Sequence, residues 1–203
     1  MSGSSDSSMA SDICSQIQSV FSSSSSSSSS PSPLDVLLRE LSAAAASSSK
    51  IFVHGVGREG LMLRGLCMRL CHLGLTAHAV GDVTAPPIAS SDLLLSSAGP
   101  GGFSTVDAIA GVAKSAGARV VLLTAHPGAG RGASSVADAV VHLPARTMAD
   151  GEEEEELEEA VRLPMGSLYE GAMFVLFEMV VLKLAELLGQ SPAQMRSRHT
   201  NLE

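Results

Sequence analysis

Ile51-Phe52-Val53-His54-Gly55-Val56-Gly57-Arg58-Glu59-Gly60 is the stretch on which the fold turns. Ile51 to His54 reads as a short buried strand ended by Gly55, a glycine-spaced turn follows it, and then a helical pattern. From Gly60 to Leu73, Leu63, Leu66, Cys67, Leu70 and Cys71 share one stripe, which predicts an amphipathic helix. The same alternation recurs on both sides. Leu34 to Ala46 reads as a helix behind Pro33. Strands are predicted over Thr76 to Val80, Asp92 to Leu95, Arg119 to Thr124 and Ala139 to Leu143. Helices are predicted over Ser104 to Ala116, a turn at Ser134 to Ala137, and Met165 to Leu188. Strands alternating with helices require right-handed crossovers, hence a parallel sheet covered on both faces. The expected fold is α/β: a three-layer α-β-α sandwich around a five-stranded parallel sheet.

Composition agrees. The chain has 203 residues, enough for one sizeable core, and is 45% hydrophobic but only 3% aromatic. Such a core is built from Ala, Val, Leu, Ile and Met, which suits helices on a parallel sheet. Thirteen basic against 21 acidic residues give a net charge of −8, so nucleic acid is excluded as the main partner. Eight acidic residues lie between Asp150 and Glu159 and account for that whole excess. A run of like charges repels itself and reads as a solvated acidic loop over 150–160. Three cysteines, Cys14, Cys67 and Cys71, make no disulfide framework and imply a reducing, cytoplasmic setting.

Residues 1–33 are dominated by Ser and read as a flexible arm ahead of a domain spanning 34–203. A transit peptide would carry Arg, yet the first basic residue is Arg39. Inside the arm, Ile13, Ile17, Val20 and Phe21 recur at helical spacing, as in a transient helix or one docked on a partner subunit. The helix from Met165 to Leu188 is long enough to span a membrane, but Glu170, Glu178, Lys183 and Glu186 punctuate it. Burial between the sheet and a second subunit is the simpler expectation, so no membrane partner and a homodimer or homotetramer are predicted. Near the end, Gly189 closes that helix, and Ser191, Pro192 and Gln194 form the signature of a capped new one.

Two glycine loops carry the chemistry. Gly55, Gly57 and Gly60 satisfy G-x-G-x-x-G, with Asp82 about twenty residues on, which alone would also fit a dinucleotide site. The second loop, Ala98-Gly99-Pro100-Gly101-Gly102-Phe103-Ser104-Thr105, also joins a strand to a helix. Backbone N–H groups there can cradle a phosphate, helped by the helix dipole and hydroxyls. Two such loops on neighbouring strands point to a phosphorylated ligand. The candidate binding residues are Gly55, Gly57, Arg58, Ser97, Gly99, Gly101, Gly102, Ser104, Thr105 and Thr124. His54 and His126, at strand ends, are placed for a site or for structure. Cys67, Cys71 and His72 are too few ligands for a metal site, and none is predicted. Glu170, early in an apolar helix, is either a base of raised pKa or a carboxylate favouring a helix N-terminus.

The order of these motifs resembles the sugar isomerase (SIS) domain family, and within it the 6-phospho-3-hexuloisomerases. Ile51 to Gly60, Met68 to Gly74, Val80-Gly81-Asp82 with Pro86, Leu163 to Glu170, and Arg198 to Glu203 carry the likeness, which runs from Leu34 to the end. The resemblance implies a metal-free, cofactor-free aldose/ketose isomerase that interconverts 3-hexulose 6-phosphate and fructose 6-phosphate through an enediolate. It assigns Glu170 as base and His199 as ring-opening acid/base, the latter acting in a neighbouring subunit. A non-catalytic, sugar-phosphate-binding regulatory module is the alternative. The chain departs from the pattern at the phosphate loop, where Ser-Gly-Ser-Gly-Glu-Thr becomes Ala98 to Phe103, and at Glu59, where the family usually has Ser.

Overall fold

The computed structural model describes residues 5–22, 31–129, 132–150 and 163–202. Its elements are α1 (Asp6–Ser22), α2 (Pro33–Ala46), β1 (Ile51–His54), α3 (Gly57–His72), β2 (Ala77–Ala79), β3 (Leu93–Ser97), α4 (Ser104–Ser115), β4 (Arg119–Thr124), α5 (Ala133–Val136), β5 (Ala139–His142), α6 (Ser167–Leu187) and α7 (Pro192–Ser197). The five strands form one parallel sheet in the order β2-β1-β3-β4-β5. The chain therefore reverses its winding direction between β1 and β3, the place where ligands bind in open α/β sheets. Both glycine loops leave the sheet there.

Side chains alternate faces with period two, as strands require. Ile51, Val53, Leu93, Leu95, Val121 and Leu123 join one core, with α2, α3 and α6. Phe52, Leu94, Val120 and Leu122 join the other, under α4. A sheet buried on both faces explains why its strands read as continuous apolar runs. The capping predicted at Ser191 is present: its hydroxyl accepts the Gln194 N–H at 3.2 Å, and Gln194 Oε1 accepts the Ser191 N–H at 2.8 Å. Ser32 and Asp35 make the same reciprocal cap before α2.

Two boundaries differ from the sequence expectation for reasons that matter to the site. Helix α3 starts at Gly57 rather than Gly60, inside the glycine loop. Gly60 can sit there only without a side chain, since a Cβ would lie 2.5 Å from the Gly55 carbonyl oxygen. Helix α6 starts at Ser167 rather than Met165, because Met165 (φ 52°) and Gly166 (φ 77°) are left-handed and turn the chain.

Within the segment read as a flexible arm, Asp6–Ser22 is helical and packs on α6 of its own chain. Val20 is buried, and a Cβ at Gly171 would meet Ile17 at 2.9 Å. Most of the serine run and the acidic residues after Asp150 lie outside the described residues. Asp150 itself is not merely solvated: it accepts the Thr147 N–H and hydroxyl and lies 2.9 Å from His126 Nε2. Helix α6 buries Tyr169, Met173, Leu176, Phe177, Val180 and Leu184, yet leaves Phe174, Leu182 and Leu187 exposed. Leu61 and Met68 of α3 are exposed as well. Among the described residues no helix is long and apolar enough to cross a membrane.

Candidate functional site

The N-termini of α3, α4 and α6 open without a side-chain cap, behind Val56, Phe103 and Gly166 respectively. First-turn amides and the positive end of a helix dipole favour an anion, although at α6 the Ser167 and Tyr169 amides already donate to the Pro164 and Gly166 carbonyls at 3.0 and 2.9 Å. Side chains tie these three ends together. Arg58, in the first turn of α3, donates to the Ser167 hydroxyl at 2.9 Å and to the Met165 carbonyl, and lies 3.3 Å from Glu170 Oε1. The next residue, Glu59, reaches the other way, into the loop before α4.

Glu59 is 6% exposed. Its Oε2 accepts the Ser97 hydroxyl at 2.5 Å and the Gly99 N–H at 3.0 Å, and its Oε1 lies 3.2 Å from the same N–H. Ser97 Oγ lies 3.2 Å from the Tyr169 hydroxyl. Since Ser97 gives its proton to Glu59, Tyr169 donates to Ser97, and the chain of donors ends on the carboxylate. Gly99 is clamped between the two: a Cβ there would meet Tyr169 Cε1 at 2.9 Å and Glu59 Oε1 at 3.0 Å. Burial pushes the Glu59 pKa up, the Ser97 and Gly99 hydrogen bonds oppose this, and the Glu170 charge adds to it. Tyr169, buried beside that carboxylate, is held well above the ordinary tyrosine value and stays a donor.

Glu170 is raised by burial, while the Arg58 guanidinium pulls it back down. Its Oε2 is buried with no hydrogen-bond partner among the described residues. His54, at the end of β1, is half-buried with an Nε2 that has no partner among the described residues, and burial lowers its pKa, keeping it neutral.

The sequence candidates therefore separate. Gly57, Arg58, Gly102, Ser104, Thr105 and Glu170 lie at or beside the open helix ends, and Ser104 and Thr105 are exposed. Gly101 is buried at φ 98°, and its N–H closes a turn onto the Ala98 carbonyl at 2.9 Å. Gly55 serves the close approach to Gly60. Ser97 and Thr124, both fully buried, point inward instead of offering hydroxyls to a ligand. Thr124 donates to the Gly99 carbonyl at 3.3 Å and accepts the His126 N–H at 3.0 Å. The Gly99 amide is likewise spent on Glu59. Asp82, the dinucleotide candidate, pairs with Arg64 at 3.0 Å.

His199 stands apart. It is exposed and stacks on His72, ring centroids 5.2 Å apart. His72 ends the helix that Arg58 begins, and fourteen residues of helical rise separate those two by about 21 Å. Within one chain His199 does not reach Glu170.

Sequence reasoning missed Glu59 and Tyr169 as parts of the site. Signals existed: Glu59 is a lone carboxylate among loop glycines, and Tyr169, the chain's single Tyr, directly precedes Glu170. An apolar cavity of about 260 Å³, lined by Phe52, Val80, Ile88, Leu94 and Ile109, opens elsewhere; Asp82 borders it, and none of the candidate sugar-phosphate-binding or catalytic residues does. No cluster of three metal-ligating side chains occurs among the described residues.

No protein-family model matches the chain. A Mycobacterium gastri 3-hexulose-6-phosphate isomerase is 39% identical over 163 residues, 80% of this chain and 78% of the relative. The Bacillus subtilis 3-hexulose-6-phosphate isomerase is 34% identical over 166 residues, 81% and 85% of the two chains. A solved Methanococcus jannaschii protein, with an inferred molecular function of 3-hexulose-6-phosphate isomerase, superposes with a TM-score of 0.75 at 24% identity, covering 95% of this chain and 98% of its own. That last likeness carries the fold alone. The fold and these relatives define a sugar-phosphate isomerase-like protein of the SIS class. The chain belongs to the 3-hexulose-6-phosphate isomerase family.

Proposed function

We propose that this protein is a cytoplasmic, homo-oligomeric isomerase that interconverts 3-hexulose 6-phosphate and fructose 6-phosphate through an enediolate. The observation that carries the reading is Glu170 Oε2, a buried carboxylate oxygen with no hydrogen-bond partner among the described residues, at the open ends of α3, α4 and α6. A desolvated carboxylate of raised pKa is matched to moving a proton between adjacent carbons. The sugar's phosphate takes the α4 amides with Ser104 and Thr105, and Gly57, Gly101 and Gly102 leave room for its approach. Arg58 holds Glu170 in place. Because His199 stacks on His72, about 21 Å of helix from the Arg58 that holds Glu170, it serves the site of a neighbouring copy, where it opens the sugar ring. The exposed apolar side chains Phe174, Leu182, Leu61 and Met68 support such an assembly.

Purified protein given 3-hexulose 6-phosphate in deuterated water tests this. Fructose 6-phosphate should form with deuterium on the transferred carbon, since a base-borne proton exchanges with solvent. Neither turnover nor exchange would leave a sugar-phosphate-binding module with a structural Glu170.

A further inference from the structure

Arg58 and Glu59 are consecutive, yet they bind opposite sides of the site: Arg58 the start of α6, Glu59 the loop before α4. Tyr169, next to Glu170, closes the circuit through Ser97. A carboxylate buried to 6% exposure is costly unless hydrogen-bonded, and here the Ser97 hydroxyl and the Gly99 N–H aim at it. Those two donors lie at the end of β3 and in the loop that follows it, which in a phosphate cradle would be expected to face the ligand. In this chain an internal carboxylate holds them instead. The two departures from the family pattern, Glu59 and the hydroxyl-poor loop, are thus in contact and belong to one arrangement.

Resting on the isomerase reading above, we propose that Glu59 is a positioning residue for sugar-phosphate binding: by holding Ser97 and the Gly99 amide it fixes the 98–103 turn so that the first-turn amides of α4 face the phosphate. It touches no substrate. Its carboxylate lies behind the loop, and Gly99, pinned between Glu59 and the Tyr169 ring, carries its grip to the base helix. The Gly101 turn and Pro100 continue from that fixed point to Ser104. The phosphate is consequently bound by the amides after Gly101 and by Ser104 and Thr105, while the amides of Gly99 and Gly101, spent on Glu59 and the Ala98 carbonyl, contribute nothing to it.

The test uses the full chain and four variants, Glu59→Gln, Glu59→Ala, Ser97→Ala and the Glu59→Gln/Ser97→Ala double. Three measurements are made: amide hydrogen exchange over residues 98–105, calorimetric titration with inorganic phosphate, and kinetics with 3-hexulose 6-phosphate. Glu59→Ala and Ser97→Ala should speed exchange of the segment at least tenfold. They should raise the phosphate Kd and the KM about tenfold and leave kcat within twofold. Glu59→Gln keeps one acceptor oxygen and should recover part of the loss, and the double variant should be no worse than Ser97→Ala. A lower melting temperature without this split of KM from kcat would make Glu59 merely structural and overturn the proposal. Unchanged exchange would overturn it, and so would tighter phosphate binding by a folded Glu59→Gln, which would mark the carboxylate as a repelling charge. If Glu59→Ala fails to fold, Glu59→Gln and Ser97→Ala decide. Absence of wild-type turnover would sink the isomerase reading alone, since exchange and phosphate titration still judge Glu59.

Discussion

The Arg58 guanidinium lies 3.3 Å from one oxygen of Glu170, and the other oxygen is left buried and, among the described residues, unpartnered. A base needs one oxygen free for the proton and the other held for orientation, and this pair supplies both. Burial raises the Glu170 pKa and Arg58 lowers it, so the net direction is upward from the ordinary glutamate value. With Glu170 as the proposed base, activity would require its ionised form. The acidic limb of kcat/KM against pH should therefore lie above the ordinary glutamate value. Arg58→Gln removes the lowering influence and should move that limb to higher pH. Glu170→Gln should cut kcat by about two to four orders of magnitude with phosphate binding intact, the usual worth of general base catalysis. A limb that stays put in Arg58→Gln would separate Arg58 from the base.

Much of this was legible in the sequence because periodicity is local. Strands β1 and β4 have the predicted bounds, and the Ser191 cap forms as its residues dictate. That each glycine loop joins a strand to a helix also follows from the alternation of strand and helix, whereas the pairing of β1 with β3 that sets the two loops side by side is a matter of sheet order. Contacts across the fold were not legible. Nothing near Glu59 says that its carboxylate turns inward to Ser97, 38 residues later, rather than outward to a ligand. Nor does local pattern say that Ser97 and Thr124, polar and at strand ends, are fully buried. Their partners are brought to them by sheet register. The early start of α3 escaped because Gly57 at φ 57° hides helix onset inside a loop-like composition.

Loop substitutions should rank by what each position does. Ser104 is exposed at the start of α4, so Ser104→Ala should weaken sugar-phosphate binding by roughly 1 kcal/mol, the worth of one neutral hydrogen bond. Gly101 is buried at φ 98°, a conformation that a β-branched residue does not tolerate. Gly101→Val should abolish binding, read by calorimetry with fructose 6-phosphate. Equal affinity in wild type and Gly101→Val would move the anion site away from this loop.

Glu40 offers a test of stability apart from the site. It is 4% exposed and takes the Arg119 guanidinium with both oxygens and Arg39 with one. The Arg119 hydrogen bond is the main reason its pKa is depressed. A depressed folded-state pKa contributes stability that is present above the unfolded value and is lost as pH falls through the folded one. Glu40→Gln should therefore cost about 1–3 kcal/mol at neutral pH. The gap to wild type should close on acidification below the ordinary glutamate range. Urea unfolding at pH 7 and at pH 3 measures both, and an equal gap at the two pH values would show that packing, not charge, holds Glu40.

Sharing of the site between copies makes the sharpest demand. Glu170 sits at the Arg58 end of α3 and His199 stacks at the His72 end, so one chain alone cannot bring them together. Light scattering at micromolar concentration should show a dimer or tetramer. Glu170→Gln and His199→Ala should each be slow alone. The His199 variant should recover most with substrate supplied in open-chain form. Unfolded together and refolded as a random mixture, the two variants should regain activity. For a dimer with sites shared across a two-fold axis, half of the assemblies are mixed and each holds one intact site, so about a quarter of the wild-type sites return. No recovery from a verified mixed assembly would confine each site to a single chain and leave His199 outside it, stacked on His72 as a surface pair.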